Sequence, residues 1–181
     1  MFRLAALLSL ACTAFAQTNA SVTRKVLEGE LTMVERELVP LAEAMPAHNF
    51  SFAPTQGSFD NARTFGQQAS HIAAVIYACA AAVLGEKNPI EMGPNENGPA
   101  TLKTKDDVVK FLKDSIAYAH KAVATITDAN ATATVASAFD AKRQVPRLNM
   151  ANVIVWHTMD HYGQMAVYAR MNGVIPPASR R

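Results

Sequence analysis

Apolar residues return every three or four positions through most of the chain, the spacing of helices with one buried stripe. Leu27, Leu31, Val34, Leu38 and Leu41 mark such a stripe from about Ser21 to Ala44, with Glu28, Glu35 and Arg36 directed away from it. A second helix is predicted over RTFGQQASHIAAVIYACAAAVLG, residues 63–85. It is rich in alanine and almost free of charge, as suits a helix covered on most sides, and Gly85 is a natural C-terminal stop. Val109, Leu112, Ile116, Val123 and Ile126 trace a third, opened by a capping-box pair, Thr104 and Asp107. The fourth runs from about Leu148 to Asn172 and is closed by Gly173 and Pro176-Pro177. No stretch shows convincing strand alternation. Four helices of this length predict an all-α fold, a four-helix bundle.

The connections differ in character. MPAHNFSFAPTQGSFDNA, residues 45–62, is a loop by its Pro, Asn, Ser and Gly content, yet Phe50, Phe52 and Phe59 should hold it against the bundle. EKNPIEMGPNENGPA, 86–100, is a second loop, and TDANATATVASAFDAKRQVPR, 127–147, reads as a connector with one short helix at most.

The first sixteen residues, MFRLAALLSLACTAFA, stand apart from the helical pattern. Arg3 precedes an apolar run that is too short to span a bilayer and ends in Ala14-Phe15-Ala16. That is the layout of an export signal cleaved before Gln17, which leaves a single bundle domain over 17–181, in the periplasm or outside the cell. Cys79 is then the one cysteine remaining, so no internal disulfide is available. The chain carries 17 basic and 15 acidic side chains with no basic patch, which disfavours nucleic acid and anionic lipid as partners. No segment after the signal is read as a membrane span.

Candidate chemistry comes from the histidines. With about 100° between successive helical residues, Met150, Val153, Ile154, His157, His161, Gln164, Tyr168 and Met171 share one sector of the fourth helix. Gln67, His71, Val75, Ala78 and Ala82 share a sector of the second. His157 and His161, at i and i+4, can each offer a nitrogen to one ion, and His71 from a facing helix completes a tripod. Three neutral imidazoles suit zinc or nickel, and also iron or copper. Three protein ligands leave a coordination position for solvent or a small-molecule substrate, as in catalytic rather than closed structural sites. The bland alternative is three core histidines satisfied by hydrogen bonds.

Other residues are weighed beside these. Asp160, about 60° from His157 on the wheel, reads either as a carboxylate accepting an imidazole N–H from another helix or as a bundle-edge charge. Gln164, one turn beyond His161, reads as a contact for substrate or as a polar cap on the core. Asp160 and Gln164 are the candidates for a catalytic role. Cys79, within YACAAA, reads as a small buried hydrophobe rather than a thiolate. His120 reads as a bundle-edge side chain before a fourth ligand, His48 as a solvated loop residue, and Glu30 and Glu37 as surface ion pairs before carboxylate ligands. Trp156, Tyr162, Val155, Met159 and Ala166 make the opposite face of the fourth helix apolar as well. A homodimer, or the ill-defined connector, would cover it.

His71 within FGQQASHIAAV, followed by WHTMDHYGQMAVYARMNGVIPP, resembles the DinB/YfiT-like family, whose pattern is a histidine on the second helix and H-x-x-x-H on the last, commonly followed by Gly-Gln. Gly163-Gln164 matches that tail, and PTQGSF and GVIPP are similar to the secreted bacterial branch. The resemblance covers nearly the whole chain after the signal. It implies a four-helix bundle, often dimeric, with a divalent metal on His71, His157 and His161 at one end. It implies no single reaction: some relatives use low-molecular-weight thiols, which are kept mainly in the cytosol, so export makes thiol transfer less expected than the family alone implies and leaves metal-dependent hydrolysis or a thiol-dependent transferase-like reaction as the enzyme readings. A non-catalytic bundle holding a metal or haem is the alternative, although no C-x-x-C-H motif is present.

Overall fold

The computed structural model describes residues 21–180; the export signal expected at 1–16 and its cleavage before Gln17 lie outside them. Four helices carry the fold: α1 (Val22–Ala44), α2 (Phe65–Leu84), α3 (Lys105–Val123) and α4 (Arg147–Met171). Their apolar stripes are buried as their spacing predicts, with Leu31, Leu38, Leu41, Ile72, Ile76, Leu112, Ile116 and Ile154 all closed to solvent. Truncating one such side chain to alanine typically costs about 2–5 kcal/mol, so the stripes bear most of the fold's stability.

Helix ends follow local chemistry. Thr64 and Gln67 form a complete capping box on α2, and Thr104 and Asp107 form the one expected on α3. Gly85 ends α2 at φ 70°, in the left-handed region that glycine enters without strain. Ser21 caps α1, and Asp128 reinforces that end by accepting from the Ser21 hydroxyl and from the backbone N–H groups of Val22 and Thr23.

The helices form a ring in which α2 packs chiefly on α3 and α4, and α1 also packs chiefly on α3 and α4. Among the described residues α2 is the most enclosed element: from Gln68 to Val83 only Tyr77 and Ala82 are less than buried. By length and composition α2 could cross a membrane, contrary to the expectation that no segment after the signal would qualify. Its apolar surface is consumed inside the bundle.

The connector over 127–147 is the main departure from the expected architecture. It holds a two-stranded antiparallel hairpin, β1 (Thr134–Ala136) and β2 (Gln144–Pro146), with Val135 paired to Val145. Each strand turns one valine inward between two exposed residues, and β2 runs directly into α4. The 45–62 loop packs down through Phe50, edge-on to Phe65, and Phe52, edge-on to Tyr168, whereas Phe59 remains 43% exposed.

Candidate metal centre

α2 and α4 run side by side, and the contact brings His71 against His157 and His161. One ring nitrogen from each lies within 4.8 Å of the other two. The Nε2 atoms of His71 and His157 are 3.2 Å apart, and the three ring centroids are separated by 4.5–5.0 Å. At that spacing no flat macrocycle fits among the rings, which removes the haem alternative from the interior of the cluster. His71 and His161 are buried and His157 is half-buried, so the group opens to the surface on the His157 side.

Hydrogen bonds orient two of the rings. His71 donates from Nδ1 to the backbone carbonyl of Glu96 at 3.0 Å. His161 donates from Nδ1 to the side-chain oxygen of Gln68 at 2.5 Å. In both rings the proton is thereby fixed on Nδ1, and the Nε2 lone pair is left as the coordinating atom. Such partners of a ligating histidine fix its tautomer and raise its basicity.

Gln68 is the residue that the sequence pattern did not single out. It is 2% exposed, whereas Gln67, placed by the wheel on the inward stripe, is exposed and occupied in the α2 capping box. Gln68 also donates from its amide nitrogen to the Gln164 oxygen at 3.0 Å, and Gln164 donates to an Asp160 carboxylate oxygen at 3.4 Å. The result is a one-way chain of donors, His161 to Gln68 to Gln164 to Asp160. Asp160 therefore does not accept an imidazole N–H itself; two amides stand between it and His161. Gln164 is exposed at the surface end of the chain.

Electrostatics keeps the rings uncharged. Burial, then the neighbouring imidazoles, then Arg63 hold His157 down at about 3. Burial and His71 lower His161 to about 4 against a small opposing pull from Asp160. Burial, followed by the charge of Arg63, also lowers His71. Near neutral pH all three are free bases, the form that binds a cation.

A divalent ion therefore suits this cluster on three counts: nitrogen-only donors, neutral rings, and one ring nitrogen from each histidine within 4.8 Å of the other two. His157 differs from the other two rings: its Nδ1 is buried without a hydrogen-bond partner, and its Nε2 faces the Nε2 of His71.

The remaining candidates lie elsewhere. His120 faces Glu28 at 2.7 Å and Glu35 at 3.3 Å between α1 and α3, a bundle-edge cluster rather than a fourth ligand. His48 is exposed and borders a separate cavity with Phe50 and Lys105. Glu30 and Glu37 are half-buried on α1 and do not join the imidazole group. Cys79 is fully buried and its thiol is pushed up to about 12, chiefly by desolvation, so it is inert packing as expected.

The model of the DinB superfamily matches residues 30–165, which include all three histidines. The fold is similar to the crystal structure of a DinB-like protein from Bacillus cereus ATCC 10987, with a TM-score of 0.66 over 84% of this chain and 95% of that one. Sequence identity to it is 17%, so this is a likeness of fold. No curated protein matches the chain.

Proposed function

The chain belongs to the DinB superfamily, and from that membership and the converging imidazoles we propose that it is an exported, divalent-metal-dependent enzyme with His71, His157 and His161 as its three protein ligands. The observation that carries this reading is the tautomer control: Glu96 and Gln68 take the Nδ1 protons of two rings and leave their Nε2 atoms unprotonated, with that of His71 turned to the Nε2 of His157. Zinc or nickel is the preferred ion, with iron and copper compatible with the same donors. When bound, the ion would supply Lewis acidity undiminished by any anionic protein ligand.

The chain's own residues do the rest. Gln68 and the Glu96 carbonyl hold two rings in place, while Gln164 and Asp160 carry the donor chain to the surface. Cys79 offers no reactive thiol, and exported proteins lie outside the compartment where low-molecular-weight thiols are mainly kept. The second point favours metal-dependent hydrolysis over thiol transfer. We further propose a homodimer through the α1–α4 face, where Trp156 (57% exposed), Met33 and Val26 stand uncovered on adjacent helices. Sedimentation of the wild type as a dimer and of Trp156→Asp as a monomer would support that; a monomeric wild type refutes it.

The test of the metal reading is elemental analysis of protein made without a histidine tag, after equilibration with zinc, nickel, iron(II) or copper. One ion per chain is expected, and none in His161→Ala that remains folded by circular dichroism. A wild type that retains no ion from any of these solutions overturns the reading.

A further inference from the structure

Arg63 stands immediately before the N-cap of α2. Its Nε donates to the Asn97 side-chain oxygen at 2.9 Å and its Nη2 to the Asn95 carbonyl at 2.7 Å. Among the described residues it forms no ion pair, so three of the five guanidinium N–H groups are not taken by these bonds. The residue between its two partners is Glu96, whose carbonyl orients His71. One short turn thus positions both the guanidinium and an imidazole of the cluster.

The backbone of that turn takes an uncommon path. Asn95 and Glu96 both have positive φ, at 53° and 58°, a conformation that costs roughly 1–3 kcal/mol per non-glycine residue and persists only where its surroundings enforce it. Gly93 cannot be replaced without opening the turn, because a Cβ there would lie 2.0 Å from the Gly98 carbonyl oxygen. The Arg63 charge also bears on all three imidazoles, lowering each.

Two cavities adjoin this arrangement, and Ala62 walls both. One, of about 500 Å³, is polar and contains Arg63, Asn61, Gln67 and Asn97. The other, of about 310 Å³, is apolar and contains Phe59, Val167, Tyr168 and Met171, with Gln164 of the donor chain as its polar member. Phe59, Val167 and Met171 are 43–56% exposed, so their apolar surface is not consumed by the fold. Of the carboxylates nearby, Asp160 is engaged by Gln164, and Glu96 lies 3.9 Å from His71 Nδ1.

We propose that these cavities are two ends of one substrate subsite beside the imidazole cluster, and that the substrate is an amphipathic anion: its carboxylate or phosphate on Arg63, its alkyl or aryl group among Phe59, Val167 and Met171. This deepens the metal-enzyme reading and rests on it for the reaction, but not for the binding. A guanidinium with free forked donors matches either oxyanion, and a cavity of about 300 Å³ is at the lower end of small-ligand sites.

Calorimetric titration of octanoate, octan-1-ol, acetate and octyl phosphate into zinc-equilibrated and metal-free protein tests the proposal, with zinc content measured alongside. Octanoate should bind about tenfold or more tighter than both octan-1-ol and acetate. Arg63→Gln should bring octanoate down to the level of octan-1-ol while leaving zinc content unchanged, and Arg63→Lys should fall between. Val167→Asp, at an exposed site that the fold does not need, should weaken octanoate but not acetate. The ratio of octanoate to octyl phosphate identifies the preferred head group. Octanoate affinity unchanged in Arg63→Gln, or matched by octan-1-ol, overturns the proposal. If zinc is not taken up but octanoate still binds in an Arg63-dependent way, the subsite stands and the metal reading falls; zinc uptake with Arg63-independent binding has the opposite meaning.

Discussion

The histidines of this protein's helices occupy two environments of opposite electrical design. His71, His157 and His161 face one another, and two of them spend their Nδ1 protons on a carbonyl and an amide. His120 has a carboxylate at each ring nitrogen, Glu28 on one side and Glu35 on the other. In the first arrangement two neutral rings have their Nδ1–H groups accepted and keep a bare Nε2; in the second a carboxylate faces each ring nitrogen. What separates a ligand set from a salt-bridge clip is thus the partner at the far nitrogen, not the histidine itself or its helical address.

That contrast can be broken most severely at the ligands. His157→Ala or His71→Ala should lower metal affinity beyond the roughly 10–100-fold typical of a lost supporting partner, while His120→Gln should leave it unchanged. Competition against a chromogenic chelator measures both. Gln68→Leu comes next: with His161 no longer held through Nδ1, affinity should fall by about 10–100-fold in the same assay, without loss of any ligand.

Acid should sharpen the difference in the metal-free protein. The three clustered rings have folded pKa values below their ordinary 6.5, so the unfolded chain binds more protons than the folded one in mild acid. Their contribution to stability is complete above about 6.5 and is lost progressively as pH falls towards 3–4. Thermal melts from pH 7 to 4 should show this decline, and it should be shallower in His157→Ala. The smallest effect belongs to the clip: His120→Gln should change stability by less than about 1 kcal/mol at neutral pH, and less still in high salt.

Much of this was legible in the sequence because helical periodicity is a repeated signal. Leu27 to Leu41 gave α1, Thr104 and Asp107 gave the start of α3, and the four-residue step from His157 to His161 placed two rings on one face. The hairpin was not legible: three-residue strands with a single inward valine each are too short to display alternation. Gln68 escapes the helical wheel, which puts its neighbour Gln67 on the stripe. The available signal was its setting, an uncharged, alanine-rich helix in which a polar amide must find a partner. Asp160 accepts from Gln164 rather than from an imidazole, which angular position on one helix cannot show. Arg63 is placed by the sequence pattern at the start of the second helix, but the Thr64 cap starts that helix at Phe65, so periodicity says nothing about where Arg63 points.

The unpartnered Nδ1 of His157 has a last consequence. Of the three rings, two are anchored at Nδ1 by a protein acceptor and one is not, so a cation held here would meet one leg less firmly braced than the other two. A site so held should tolerate cations of different radii and exchange them faster than a fully braced one. Which ion it carries would then be decided more by what the surrounding medium supplies than by the grip of the protein.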